Sequence, residues 1–562
     1  MKQACLLNAI TNNNIGLRVS SHHTFHNYLR TKLRNIKYGA VLFFFASFTL
    51  IGCVDLDVSP TNKLTENNYW TSETNAKAVL SMAYSQMLNS DCFFNNEVLS
   101  DNVYNGRGAM DEKIIASGLG TATTGRFENE WTSCYAGIKT CHVFLANIDK
   151  VTMDATLKAR MIAEARFIRA YLYLRLTTWF GDVPFFTQDL TLSESKSIGR
   201  TAQSDVYRFI HQEFQAIATA LPPKEQYSTA DRGRITRGAA IALDARAYLY
   251  QSDWANVITS CEKLMNTTDN GSYSLFPSYA GLFTEANEYN QEVILDLEYV
   301  PIVHTWNNMF DLVPLSVGAR DNLYAPTQEL VNDYLMLDGT KWDSTKVAYT
   351  NRDPRLQATL VYDNYSWQGV GGAVSTIRTT AGTNTVNSYS GQGQNSTSTG
   401  YYYRKYFDVN YTGSFASGLN LILIRYADIL LMYAEAKNEL GVMNSTIWDA
   451  TIKLLRTRAG FTATAALNYP GGSSADLQTI IRTERRCELA LEGLRVFDIR
   501  RWKTAETVLN TPPHGAKFGD ASIDNGYIRL NSRIFNKNRD YLWAIPSVEI
   551  DLDPNLSQNP GY

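Results

Sequence analysis

The chain has 562 residues, 44% of them hydrophobic, with 35 Gly and a formal net charge of −3. This composition is globular and excludes collagen-like, coiled-coil and disordered chains; the length suits two to four ordinary domains or one large helical one. Residues 1–53 hold six basic and no acidic residues, which leaves 46 basic against 55 acidic beyond them, a net of −9 that argues against nucleic-acid binding.

The first feature in chain order is residues 40–52, AVLFFFASFTLIG, an uncharged run behind a basic stretch. As a helix it spans about 20 Å, short of the about 30 Å hydrocarbon core, so it reads as the apolar part of a signal peptide. It ends in Leu50-Ile51-Gly52-Cys53, which resembles a bacterial lipobox. The expectation is a signal peptide over 1–52 and a mature chain lipidated at Cys53. Several acyl chains then hold it stably to the outer membrane. Asp55 and Asp57 follow, as in surface-export signals of bacterial lipoproteins.

The spacing of apolar residues predicts helices over Thr71–Leu88 and Phe127–Lys150, separated by a polar loop at about 102–125. The clearest helix is 156–180, where Met161, Ala165, Ile168 and Leu172 form one stripe and Gly181 and Pro184 stop it. Further helices are expected at Ser204–Leu221, Thr236–Gln251 and Trp254–Met265. The last two resemble a tetratricopeptide unit, with Ala239, Ala242 and Ala245 on the packing face. A late pair, Arg425–Leu440 and Ser445–Gly460, and a long helix Asp476–Trp502 complete the set. Residues 266–420 differ: short runs such as Val293-Ile294-Leu295 read as strands between Pro, Gly and Asn. The expected division is a helical region 53–265, a loop-rich ligand-binding subdomain 266–420, and a helical region 421–562. The fold class is mainly α: a solenoid of tetratricopeptide-like helix pairs carrying a loop-rich insert with a few short strands.

Five stretches together resemble the SusD/RagB family of outer-membrane nutrient-binding lipoproteins: LDVSPTNKLTENNYW (56–70), AEARFIRAYLYLRLTTWFGDVPFF (163–186), IRYADILLMYAEAKNEL (424–440), ERRCELALEGLRVFDIRRW (484–502) and LWAIPSVEIDLDPNLSQNPGY (542–562). The resemblance implies a helical, SusD-like fold. It also implies a partner, a SusC-like TonB-dependent transporter to which captured oligosaccharides, or in some branches peptides, are delivered. Its motifs are scaffold motifs and transfer no ligand-contacting residue.

Glu488 and Glu492 lie at i,i+4, as a carboxylate pair could, but Arg485, Arg486, Arg495, Arg500 and Arg501 surround them in sequence. Arginines lower carboxylate pKa values, so an ion network is expected rather than a glycosidase acid. Glu164 with Arg166 and Arg169 reads the same way. No metal-ligand spacing, GxSxG elbow or phosphate loop is present, and no cofactor is expected. The chain is rich in aromatics, with 33 Tyr, 24 Phe and 10 Trp. Sugars present flat C–H faces and hydroxyls, which exposed rings and Asn, Asp or Arg side chains can bind. The candidates are therefore loop aromatics with polar neighbours: Tyr104 with Asp101, Asn102 and Arg107; Trp306 with Asn307 and Asn308; and Tyr279, Tyr324 and Trp367. The resulting expectation is a non-catalytic glycan-binding surface lipoprotein. The alternatives are a surface glycoside hydrolase, a peptide-binding RagB-type lid, and a scaffold that binds only protein.

Overall fold

The computed structural model describes residues 69–108, 110–407 and 416–562. Cys53, the leader and most of the 56–70 stretch lie outside them. The principal helices are α1 (Glu73–Ser85), α2 (Ser90–Val98), α3 (Gly125–Asn147), α4 (Ala155–Phe180), α5 (Gln203–Ile217), α6 (Arg237–Tyr250), α7 (Trp254–Met265), α8 (Tyr426–Glu439), α9 (Ser474–Glu488) and α10 (Arg495–Arg501).

Local chemistry fixes their ends. The Asp154 side chain accepts from Leu157 N at 2.8 Å and opens α4, and Gly181 closes it at φ +73°. Thr236 caps α6, and Ser473 with Asp476 forms a capping box on α9. From α3 to α9 each helix packs against the next in chain order, with α1 laid on α3. Ala239, Ala242 and Ala245 are fully buried, so the α6 backbone can approach its neighbours closely. The expected solenoid of helix pairs is present.

The strands are short and paired in twos. They are β1 (Val103–Tyr104), β2 (Val293–Leu297), β3 (Ala325–Pro326), β4 (Leu360–Val361), β5 (Tyr365–Gln368), β6 (Val374–Ile377), β7 (Tyr402–Tyr403) and β8 (Leu421–Arg425). All four pairings (β1–β3, β2–β8, β4–β7 and β5–β6) are antiparallel. Residues 266–420 hold β2 to β7, yet Trp306, Trp367 and Tyr403 belong to the same apolar cluster as the helices. At its far end this core is closed by Trp543, stacked on Trp179 at 3.8 Å and tilted onto Phe127 at 4.9 Å.

Two expected helices are divided. Ser445–Gly460 forms two helices, Ser445–Asp449 and Ile452–Ala459. Asp476–Trp502 breaks between α9 and α10, where Leu491 and Gly493 take φ of +64° and +74°. A Cβ at Gly493 would meet Phe93 O at 2.7 Å, so the position needs glycine.

The break lets α9 and the turn after it reach a buried ion network. Arg425 bonds Glu292 at 2.7 Å, Glu488 at 2.6 Å and Glu492 at 2.7 Å. Arg355 bonds Asp353, Glu484 and Glu488 at 2.7, 2.6 and 2.8 Å. Arg458 joins Glu292 and Glu488, Arg456 joins Glu484, and Lys405 joins Glu492. Five cations thus meet five carboxylates, all with nearly fully buried side chains. Arg425→Met leaves three carboxylates short of a partner and is expected to destabilise the protein by about 3–5 kcal/mol. Chemical denaturation checks this; an unchanged midpoint would contradict it.

The buried carboxylate of Asp296 has no such partner among the described residues. Asp296 on β2 accepts from Asn420 Nδ2 at 3.0 Å. Burial first, then Glu298 and Glu288, pushes its pKa from 3.8 up to about 8. Between those values the folded state holds a proton that the unfolded chain has released, so this group erodes stability as pH rises through that window. Asp296→Asn keeps an acceptor for Asn420. It is expected to raise the melting temperature at pH 8 and to give no gain at pH 4. An equal shift at both pH values would refute the assignment.

Candidate functional site

Asn102, Trp306, Asn308 and Tyr324 reach α2, whereas Arg107 joins the two loops directly. Tyr324 donates from its hydroxyl to Asn95, Asn308 donates to Asp91 at 2.8 Å, and Arg107 pairs with Asp321 and reaches Asn395. Yet the rings are covered. Trp306 is 3% exposed, its Nε1 donates to Leu419 O at 2.7 Å, and its ring lies 5.2 Å from Phe94. Tyr104 is buried against Ile528 and Leu530. Tyr279 is buried and donates to Glu488 O at 3.0 Å. Trp367 is 1% exposed. The polar candidates are engaged as well: Asp101 holds Arg495 at 2.8 Å, and Asn102 donates to Glu97 at 3.0 Å and accepts from Arg486 at 2.9 Å. Asn307 alone of the ten is exposed. The expectation of an open stacking platform on Tyr104, Trp306, Tyr279, Tyr324 and Trp367 is therefore corrected. Each of these rings packs its own loop onto the scaffold.

The charged residues behave as a network, but with other partners than sequence proximity suggests. Glu488 and Glu492 are neutralised by Arg355, Arg425, Arg458 and Lys405, from distant segments. Arg485 points instead to Asp428 and Asp498, Arg486 to Asp333, Arg495 to Asp101 and Arg501 to Glu435. Arginine neighbours hold the Glu488 carboxyl well below its usual range against the opposing effect of burial. Glu164 pairs with Arg160 and Arg234, whereas Arg166 and Arg169 both serve Glu213. Among the described residues no group of His, Cys, Asp or Glu is arranged to hold a metal ion. All five described cysteines are free thiols.

A different aromatic run is partly open. Tyr349 and Tyr362 stack at 4.1 Å and 12°. Tyr365, on β5, meets Tyr362 edge-on at 5.3 Å and Trp367 at 6.4 Å. All three tyrosines are half-buried. The β5–β6 hairpin and the turn after β4 carry two of them, and Tyr365 is anchored by donating to Gln357 O at 2.7 Å. The run ends at a cavity of about 500 Å³, within the size range of small-molecule sites. Its lining includes Tyr279, Phe283, Tyr365, Arg404, Phe407 and Arg458. The sequence signal for this site is the Tyr362–Gln368 segment, YDNYSWQ, of which only Trp367 is among the candidates above.

Comparison with known proteins places these features in context. Residues 292–562 match the SusD family, and residues 56–249 match a family described as starch-binding and associating with the outer membrane. SusD-like protein P2 of Formosa agariphila is 26% identical over 547 residues, covering 93% of this chain and 99% of the relative. A SusD-like carbohydrate-binding protein of Bacteroides fragilis, solved by crystallography, is 28% identical. It covers 87% of this chain and 100% of its own, with a TM-score of 0.79. A second SusD-like protein of that species is 26% identical, covers 90% and 100%, and superposes with a TM-score of 0.75.

Burial of Trp306 has a measurable consequence. Trp306→Ala is expected to lower stability by about 3–5 kcal/mol, the usual loss for a large buried ring. Thermal unfolding checks this; a variant that melts like the parent would return Trp306 to the surface.

Proposed function

Because this chain belongs to the SusD family, we propose that it is a non-catalytic surface protein that binds oligosaccharides. It holds them on the Tyr349–Tyr362–Tyr365 run beside the 500 Å³ cavity. The bound glycan is handed to a SusC-like TonB-dependent transporter, and the protein is tethered to the outer membrane through acylated Cys53. Residues 266–420 act as the ligand-binding subdomain between the helical regions 53–265 and 421–562.

The observation that carries this reading is the open aromatic run itself. Tyrosine rings offer flat apolar faces to sugar C–H groups, and the hydroxyls of Tyr349 and Tyr365, bonded to Tyr401 and to Gln357 O, hold two of these rings in place. The preset stacking of Tyr349 on Tyr362 means that little side-chain freedom is lost on binding. The carboxylates nearest the cavity support binding without cleavage. Glu484 and Glu488 are both held below their usual range by arginines, the opposite of what a general acid requires.

Tyr362→Ala removes one face of the run without touching the ion network. It is expected to weaken binding of the cognate oligosaccharide about fivefold, the equivalent of about 1 kcal/mol of ring contact, and to leave the melting temperature near that of the parent. Calorimetric titration measures the first, and chromatography of the recovered ligand is expected to find it uncut. Unchanged affinity in Tyr362→Ala, or shortened ligand with the pure protein, would overturn the proposal.

A further inference from the structure

Four cationic side chains line the cavity: Arg355, Arg404, Lys405 and Arg458. Three are balanced from behind. Arg355 has Asp353, Glu484 and Glu488; Lys405 has Glu492; Arg458 has Glu292 and Glu488. Arg404 forms no ion pair among the described residues. Among the described residues, the wall of the cavity therefore carries one positive charge in excess of the balanced network beneath it.

Arg404 is also held in place. Its guanidinium lies 4.7 Å from the centre of the Trp367 ring and 5.5 Å from that of Phe407, and Nη1 donates to Phe407 O at 2.9 Å. Its backbone N–H is fixed to Thr359 O at 2.9 Å. A stacked guanidinium loses little freedom when it meets a ligand, and most of its five N–H groups remain to donate. A second unfilled donor lies in the same lining: Arg458 Nε is buried and has no acceptor. Buried N–H groups normally find a partner. A rigid planar fork with no ion-pair partner among the described residues suits a planar or tetrahedral oxyanion better than a neutral hydroxyl.

We propose that the cavity recognises an acidic sugar, with the carboxylate of a uronic acid or the sulfate ester of an oligosaccharide docked on Arg404 and the sugar ring set against Tyr365. This assignment rests on the glycan-binding reading above and narrows it to one chemical class. Trp367, buried and unable to stack on a sugar, acquires a role here as the surface on which Arg404 is laid.

The test uses the purified protein and matched pairs of probes: oligogalacturonate against its methyl ester, and sulfated galacto-oligosaccharide against its desulfated form. The acidic member of at least one pair is expected to bind about tenfold tighter than its neutral counterpart, as befits a charge-assisted hydrogen bond. High salt is expected to shrink that advantage. Arg404→Gln is expected to abolish it by weakening the acidic member far more than the neutral one, and Arg404→Lys, which keeps charge but not the fork, to retain part of it. Thermal unfolding of both variants guards against misfolding. Preference within the first pair assigns a carboxylate, and within the second a sulfate. Equal binding within both pairs, or an equal loss for both members in Arg404→Gln, overturns the acidic assignment and leaves the glycan-binding reading standing. Failure of every probe to bind overturns both.

Discussion

Glu488 accepts from Arg355, Arg425 and Arg458 where water is excluded, and the remainder of the fold is arranged around that meeting. Each ion there has lost hydration worth several kcal/mol, which is recovered only if every partner arrives with good geometry. Those partners come from six stretches of chain: the start of β2, the turn at 353–355, Lys405 after β7, the end of β8, residues 456–458, and α9 with the turn that follows it. A loop-rich segment with only two-stranded sheets has little hydrogen-bonded order of its own. The network supplies it, because a shift of any contributor by one residue leaves a buried charge unpaired.

The same constraint explains the motif around residues 484–492. Glu484 and Glu488 point to Arg355, Arg485 to α8, Arg486 to Asp333, and Glu492 to Arg425 and Lys405. One helical turn and the chain just beyond it thereby address four different parts of the molecule. Asp428 on α8 receives both Arg246 of α6 and Arg485 of α9, which ties the solenoid crosswise as well as along its length.

How much of this could be read from sequence depended on the range of the interaction. Helices were legible because their apolar spacing and caps are local, and the Trp254–Met265 helix has the predicted ends. The break at Leu491 was not, because a left-handed leucine has no sequence signature and is imposed by distant partners. The network's existence was legible from its residue types, but its pairings were not: the arginines adjacent in sequence face other sides of α9 and α10. The candidate site suffered most. A tryptophan in a polar loop looks the same whether the loop covers it or bares it, and Trp306, Tyr104 and Tyr324 are covered by contacts with residues more than two hundred positions away. The excess of aromatics is largely an internal mortar, and the partly open run at Tyr349, Tyr362 and Tyr365 is the part set beside the cavity.

The stacking of Trp543 on Trp179 bears on the order in which the molecule can be finished. Asn559 donates to Phe180 O at 2.8 Å and to Trp543 O at 2.7 Å, and Arg200 donates to Asn559 at 2.7 Å. Until residues 543–562 arrive, the ends of α3 and α4 leave Phe127, Trp179 and Phe180 uncovered. These helices precede their missing wall in the chain by most of the fold. An apolar face built by residues 127–180 is therefore sealed only when the 543–562 segment docks. Until it docks, and not in the finished state, that face is what most exposes the protein to association with its neighbours.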